Sequence, residues 1–275
     1  MIIDFHAHYP QQKDFAERLV GLLPAAGIDR ICLCSAGDAF GHASNDVILK
    51  AAQKYPDHLM AFALIELGKD MPDRVDEYAG CGYRGFKITN PLKSYDSEEY
   101  FPIYEQMERS GLPLLAHTGV LKRIRVESGR RVSSRWMRPI CLDAVLRSFP
   151  GLNVVGAHMG VPWHEEASTL ARMHPNYFVD LTGAWWGGWR VNKTPEFFRY
   201  HFFWDGAWDK VLFGTDILAL EELLPSKQFH DQMISQLNLP EETVRKIYGG
   251  TAARLLGLAH RNERRASTKQ PSCSC

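Results

Sequence analysis

The feature that most limits what this chain can fold into is a strict alternation of short apolar runs and helix-forming segments, repeated eight times within 275 residues. Strand-like runs fall at 2–6, 31–34, 59–65, 85–88, 112–117, 152–158, 177–181 and 211–215. Helix-like segments fall at 13–26, 44–55, 72–79, 98–110, 139–149, 163–174, 195–203, 219–236 and 240–256. Strands separated by helices pair in parallel, because a parallel pair needs a long crossover and a helix supplies it. Eight such units close a (β/α)8 TIM barrel, a fold of about 250 residues in one domain. An open doubly wound sheet is the alternative, but no Gly-x-Gly-x-x-Gly follows the first run. Local punctuation agrees: Ser44 stands at an N-cap position, Pro139 opens a helix and Gly111 closes one. We expect a single barrel over residues 1–260. From Arg261 the apolar periodicity is lost, and 261–275 read as a polar tail.

Composition narrows the partners. Lys plus Arg and Asp plus Glu are equal at 32 each, so no net charge draws the chain to nucleic acid or an anionic membrane. No apolar run approaches the roughly 18 residues of a membrane span, and no leader precedes the first strand, so a cytoplasmic location is expected. The six cysteines (32, 34, 81, 141, 273 and 275) lack zinc-finger or disulfide-framework spacing. Cys32 and Cys34 lie in an apolar strand.

In a barrel of this kind chemistry gathers where strands end. The first strand carries His6 and His8, two apart and therefore expected on one face with Asp4, with Ile3, Phe5 and Ala7 on the other. Paired imidazoles with a carboxylate behind them are half of a divalent-metal site. The fourth strand holds Lys87, the fifth ends in His117, the sixth in His158 and the eighth in Asp216. Each alone is an ordinary rim residue; five strands offering ligand-capable groups at one end are a pattern. Gly156 and Gly214 share parity with His158 and Asp216, which predicts open space beneath the site.

These motifs, with Arg138-Pro139, Gly156-Ala157-His158-Met159-Gly160, Gly214-Thr215-Asp216 and the closing Tyr248–Gly257 stretch, resemble the amidohydrolase superfamily in its amidohydrolase-2 branch. That branch includes aminocarboxymuconate-semialdehyde decarboxylase, resorcylate decarboxylases and pyrone-dicarboxylate lactonase. The resemblance implies a metal held by His6, His8, His117 and Asp216. It also implies His158 as the residue that polarises substrate or acts as a base, and as a ligand in two-metal members. Such a ligand set suits zinc, with manganese, iron or cobalt feasible. The branch favours one ion over two. Lys87, on the face shared by Gly85 and Thr89, either bridges a second ion as a carboxylated lysine, pairs with a carboxylate, or contacts substrate.

The implied chemistry is hydrolysis by metal-activated water, with Asp216 moving the proton; nonoxidative decarboxylation or hydration is the alternative on the same residues. A non-catalytic binding barrel ranks third. The loop 118–138 is rich in cations (Lys122, Arg123, Arg125, Arg130, Arg131, Arg135, Arg138). Of these, Arg135 and Arg138 are expected to point inward at an anionic substrate. Trp163, Trp185, Trp186 and Trp189 are expected to form an aromatic wall. Together they predict a small cyclic or unsaturated carboxylic acid as substrate. Barrels of this kind often form homodimers, though no segment marks an interface.

Overall fold

A computed structural model describes residues 1–121, 133–183 and 188–258. Its eight strands are β1 (Ile3–His8), β2 (Arg30–Cys34), β3 (Leu59–Ile65), β4 (Gly85–Ile88), β5 (Leu114–Ala116), β6 (Val154–Gly156), β7 (Tyr177–Asp180) and β8 (Val211–Leu212). They lie side by side in chain order, every neighbouring pair parallel. Backbone bonds from Phe5 N to Phe213 O (3.0 Å), Asp216 N to His6 O (2.7 Å) and His8 N to Ile217 O (3.1 Å) join the last strand to the first. The chain is a (β/α)8 barrel.

The crossovers are α1 (Phe15–Ala26), α2 (Asn45–Lys54), α3 (Asp73–Cys81), α4 (Phe101–Ser110), α5 (Asp143–Ser148), α6 (His164–Met173), α7 (Pro195–His201) and α8 (Leu223–Ser235). The segment expected as one helix over 139–149 is a 3-10 turn (Pro139–Leu142) followed by α5. The final helix is likewise broken, into α9 (Glu241–Arg245), a π turn (Lys246–Gly250) and α10 (Thr251–Leu255). Ser44 occupies the N-cap of α2 without a side-chain bond to the helix, while Gly111 ends α4 in the left-handed conformation (φ 68°).

Two apolar layers follow from strand alternation. Ala7, Leu33, Ala63, Phe86, Ile88, Val154 and Val179 face outward and pack in the layer beneath the helices. Phe5, Cys32, Met60, Phe62, Leu115, Val155, Phe178 and Leu212 fill the barrel, and Ala252 and Leu255 of α10 belong to the same cluster. Phe5 and Phe62 meet edge to face at 5.2 Å. Burial of each such ring contributes roughly 1.5–3 kcal/mol, so the barrel is a packed core below its mouth.

Strict alternation fails in β1, and the failure places the site. Asp4 pairs with Ile31 and Ala7 with Leu33, so Phe5 and His6 together oppose Cys32 alone. This bulge lets Phe5 and His6 both serve the interior before Ala7 turns out and His8 turns in. The expectation that Ile3, Phe5 and Ala7 share a face is therefore corrected: Ile3 and Phe5 belong to the inner cluster and Ala7 to the outer. The predicted space beside the two glycines is also filled. Gly156 lies against the Tyr177 hydroxyl, and a Cβ on Gly214 would stand 2.6 Å from Thr182 Cγ2 and 3.0 Å from His6 Cβ. These glycines permit close contact; they do not leave a void. The 261–275 tail, with Cys273 and Cys275, lies outside the described residues.

Candidate active site

His6 and His8 of β1, Lys87 of β4, His117 just past β5, His158 past β6 and Asp216 past β8 are brought together at the C-terminal mouth. Strands β5, β6 and β8 end earlier than the apolar runs suggest, so His117, His158 and Asp216 sit on the first residues of loops. His158 and Asp216 both adopt left-handed backbone, at φ 60° and φ 56°. Such a conformation costs on the order of 1–3 kcal/mol and persists where the surroundings enforce it. Here the amide of His158 donates to Asp180 Oδ1 at 2.7 Å and that of Asp216 to His6 O.

Hydrogen bonds assign the imidazole protons. Asp180, at the end of β7 and fully buried, accepts at Oδ1 from the amides of His158 and Thr182 and from the Thr182 hydroxyl (2.6 Å). Its Oδ2 accepts from His6 Nδ1 at 2.8 Å. His6 therefore carries its proton on Nδ1 and directs Nε2 inward, where Lys87 Nζ stands 3.1 Å away. Because the Thr182 hydroxyl donates to Asp180, it accepts from His158 Nδ1 (2.8 Å), which leaves His158 Nε2 with a bare lone pair. His8 Nδ1 lies 3.3 Å from Cys34 O, and its Nε2 faces Asp216 Oδ1 at 3.2 Å. His6 Nε2 lies 3.5 Å from the same carboxylate oxygen. His117 Nε2 is buried and has no partner among the described residues. An orphaned, buried imidazole nitrogen whose ring lies 4.9 Å from that of His158, in a cavity that also holds His8 and Asp216, fits a cation better than it fits solvent-free packing.

The electrostatics point the same way. Burial raises Asp216, but His158, His6 and His8 pull its carboxyl well below the usual range. Burial also opposes ionisation of Asp180, which His6 outweighs. Burial opposes charge on His8 too, yet Cys34 and Asp216 raise it to about 10, so its Nε2–H is held by Asp216. His158 falls to about 4 and His117 well below its ordinary value, chiefly through burial. In the metal-free protein the concentrated negative charge thus holds a proton on His8. A divalent cation would balance that negative charge in place of the proton and release the nitrogen.

A cavity of about 250 Å³ opens above these groups. Its floor is His8, Lys87, Thr89, His117, His158 and Asp216, and its walls include Phe40, Val120, Leu121, Val161, Trp189 and Leu218. Two expectations are corrected here. Arg135 is exposed, and Arg138 is bound to Glu166 (Nε to Oε1, 3.0 Å) with its guanidinium 5.3 Å over the Trp163 ring. Neither arginine nor Trp163 lines the cavity; Trp189 does, its indole N–H donating to Thr182 O at 2.8 Å. Glu166 of α6 satisfies Arg138 at the barrel's rim, and a paired guanidinium has no reason to turn inward. Trp185, Trp186 and the remaining loop cations lie outside the described residues.

Four functional candidates were not foreseen: Cys34, His42, Asp180 and Thr182. Asp180 had a signal, a carboxylate ending the apolar run Tyr-Phe-Val-Asp. His42, in a loop, had none. Two tight donor clusters, with ligand atoms within 4.8 Å of one another, are His6–His8–Cys34 and His6–His158–Asp180. Asp180 and the Cys34 carbonyl already bond to imidazole Nδ1 atoms on the far side from the cavity, the position of groups that orient ligands.

A TIM barrel with imidazoles and carboxylates gathered at its C-terminal mouth defines a class, the metal-dependent barrel enzymes. Within that class the chain belongs to the amidohydrolase family, whose family model matches residues 3–258 and whose members use a divalent metal. No curated protein matches the sequence. Among solved structures, an uncharacterised TIM-barrel protein from Bordetella bronchiseptica is 22% identical, with a TM-score of 0.72 over 94% of this chain and 99% of that one. A probable 2-pyrone-4,6-dicarboxylic acid hydrolase from Acinetobacter baumannii, with citric acid bound, is 15% identical (TM-score 0.65, 93% and 99% covered). A 5-carboxyvanillate decarboxylase from Novosphingobium aromaticivorans, with bound manganese, is 13% identical (TM-score 0.59, 94% and 97% covered). Among the described residues no helix is long and apolar enough to cross a membrane.

Proposed function

We propose that the protein is a metal-dependent hydrolase acting on a small cyclic or unsaturated carboxylic acid, with one ion, zinc first, held by His6, His8, His117 and Asp216. The observation that carries this reading is the approach of His6 Nε2 and His8 Nε2 to one Asp216 oxygen, at 3.5 and 3.2 Å, beneath a cavity. A divalent ion there supplies a Lewis acid and lowers the pKa of water towards about 7.

The chain's own groups do the rest. Asp216 accepts the proton of the attacking water and passes it to the leaving group. His158, fixed through Nδ1 on Thr182, offers a bare Nε2, which suits a base better than a donor to an oxyanion. Lys87 is the only Lys or Arg among the described residues lining the cavity, and faces a substrate carboxylate from the floor. The volume, near the small end of ligand pockets, suits a single ring.

The apolar walls support a second reading. They strip water from a bound carboxylate, which also favours loss of carbon dioxide on the same residues.

Reaction in ¹⁸O-water against a panel of lactones, amides and aromatic acids separates the two. Label in the product marks hydrolysis, and carbon dioxide release marks decarboxylation. Metal-replete protein inert across the panel, or an Asp216→Ala variant with undiminished metal content, would overturn the site assignment.

A further inference from the structure

One imidazole at the cavity is protonated the other way round. His42 lies in the loop between β2 and α2, and its Nδ1 accepts the backbone N–H of Ala36 at 3.0 Å. A nitrogen that accepts carries no proton, so neutral His42 holds its proton on Nε2. His6 and His158, by contrast, are fixed with their protons on Nδ1 and bare Nε2 atoms.

The loop is fastened where it matters. His42 pairs across to Pro10, just beyond β1, Ala43 N donates to Tyr9 O (2.8 Å), and Gln11 Nε2 donates to His42 O (3.0 Å). The ring is held 4.5 Å from that of His8 at an interplanar angle of 34°, in a residue only 4% exposed that lines the cavity. No acceptor for its Nε2–H is present among the described residues.

We propose that His42 is a substrate-binding residue, a pre-oriented Nε2–H donor to an oxygen of the bound substrate, set beside the metal-ligand cluster but unable to join it. The assignment rests on the cavity being the active site, and it adds a specificity element: the substrate presents an oxygen acceptor on the His8 side of the cavity. Substrates with a carboxylate or carbonyl there gain a hydrogen bond. Those with a hydrocarbon group there leave a buried donor unpaired, which is the stronger source of discrimination. The backbone amide of Ala36 is the positioning group, since it selects the tautomer.

The test uses ¹⁵N-histidine-labelled, zinc-loaded protein and benzoate as a minimal ring carboxylate. Long-range proton–nitrogen spectra are expected to show His42 protonated at Nε2 and bare at Nδ1, with the Nε2 signal moving when benzoate is added. His42→Ala is expected to weaken benzoate about tenfold, the loss of one hydrogen bond, at unchanged zinc content. His42→Gln, which restores an N–H at similar reach, is expected to recover part of that loss. Three results would overturn the assignment: a proton on Nδ1, zinc lost in the alanine variant, or equal benzoate affinity in all three proteins. Wild-type protein that binds zinc but not benzoate would count against the carboxylic-acid reading of the function, and the position of the His42 proton would still decide its donor role.

Discussion

Asp180→Asn is the substitution whose outcome the structure specifies most fully. The carboxylate makes four hydrogen bonds, three at Oδ1 and one at Oδ2. An asparagine must place its carbonyl where most donors converge, on the Oδ1 side, and its amide nitrogen then replaces Oδ2 and faces His6 Nδ1. Two N–H groups cannot point at each other, so His6 must move its proton to Nε2, the atom assigned to the metal. Loss of an orienting partner of this type typically costs 10–100-fold in metal affinity, about 1.4–2.7 kcal/mol. The expected result is a zinc dissociation constant raised by that factor in chelator competition, with the His6 proton found on Nε2 by nitrogen NMR. Near-ultraviolet circular dichroism of both metal-free proteins separates this from misfolding, because moving one imidazole proton leaves the packing of the aromatic core unchanged. Zinc affinity equal to wild type, or a His6 proton that stays on Nδ1, would refute the reasoning.

Lys87→Met removes the amine that now stands at His6 Nε2, so zinc should bind several-fold more tightly at unchanged stoichiometry by elemental analysis; a fall from two ions to one would instead reveal a bridging carboxylated lysine. Gly214→Ala drives a Cβ into Thr182 and His6 and should cost about 1–3 kcal/mol in urea denaturation; a neutral result would mean that β8 relaxes freely. Burial, with His164 adding to it, lowers His201 to about 4. Its folded pKa lies below its unfolded value of about 6.5, so its contribution is complete above that pH and is lost as pH falls towards 4. His201→Gln should therefore flatten the stability profile between about pH 4 and 6.5, and an unchanged profile would contradict the shift.

Much of the fold was legible because alternation is a local property. Each apolar run had to find a parallel neighbour, and eight crossovers leave a closed ring as the economical answer. The ends of those runs named His6, His8, Lys87, His117, His158 and Asp216, and the structure brings all six to one mouth. Strand parity, applied mechanically, misplaced Phe5 and Gly156, because a bulge and a left-handed residue each reset which way a side chain points. Neither leaves a mark in a two-residue repeat.

By itself, then, the sequence determined the order of the units, the family and the groups capable of chemistry. Tertiary structure alone decided that Asp180 and Thr182 govern the imidazole protons, that the Ala36 amide turns His42 into a donor, and that Glu166 holds Arg138 away from the cavity. The physical reason is range. Periodicity and turn chemistry act over a few residues, whereas a tautomer or an ion pair is settled by whichever atom lies within 3 Å or so after folding, and the partner that fixes the His6 tautomer comes from 174 positions away.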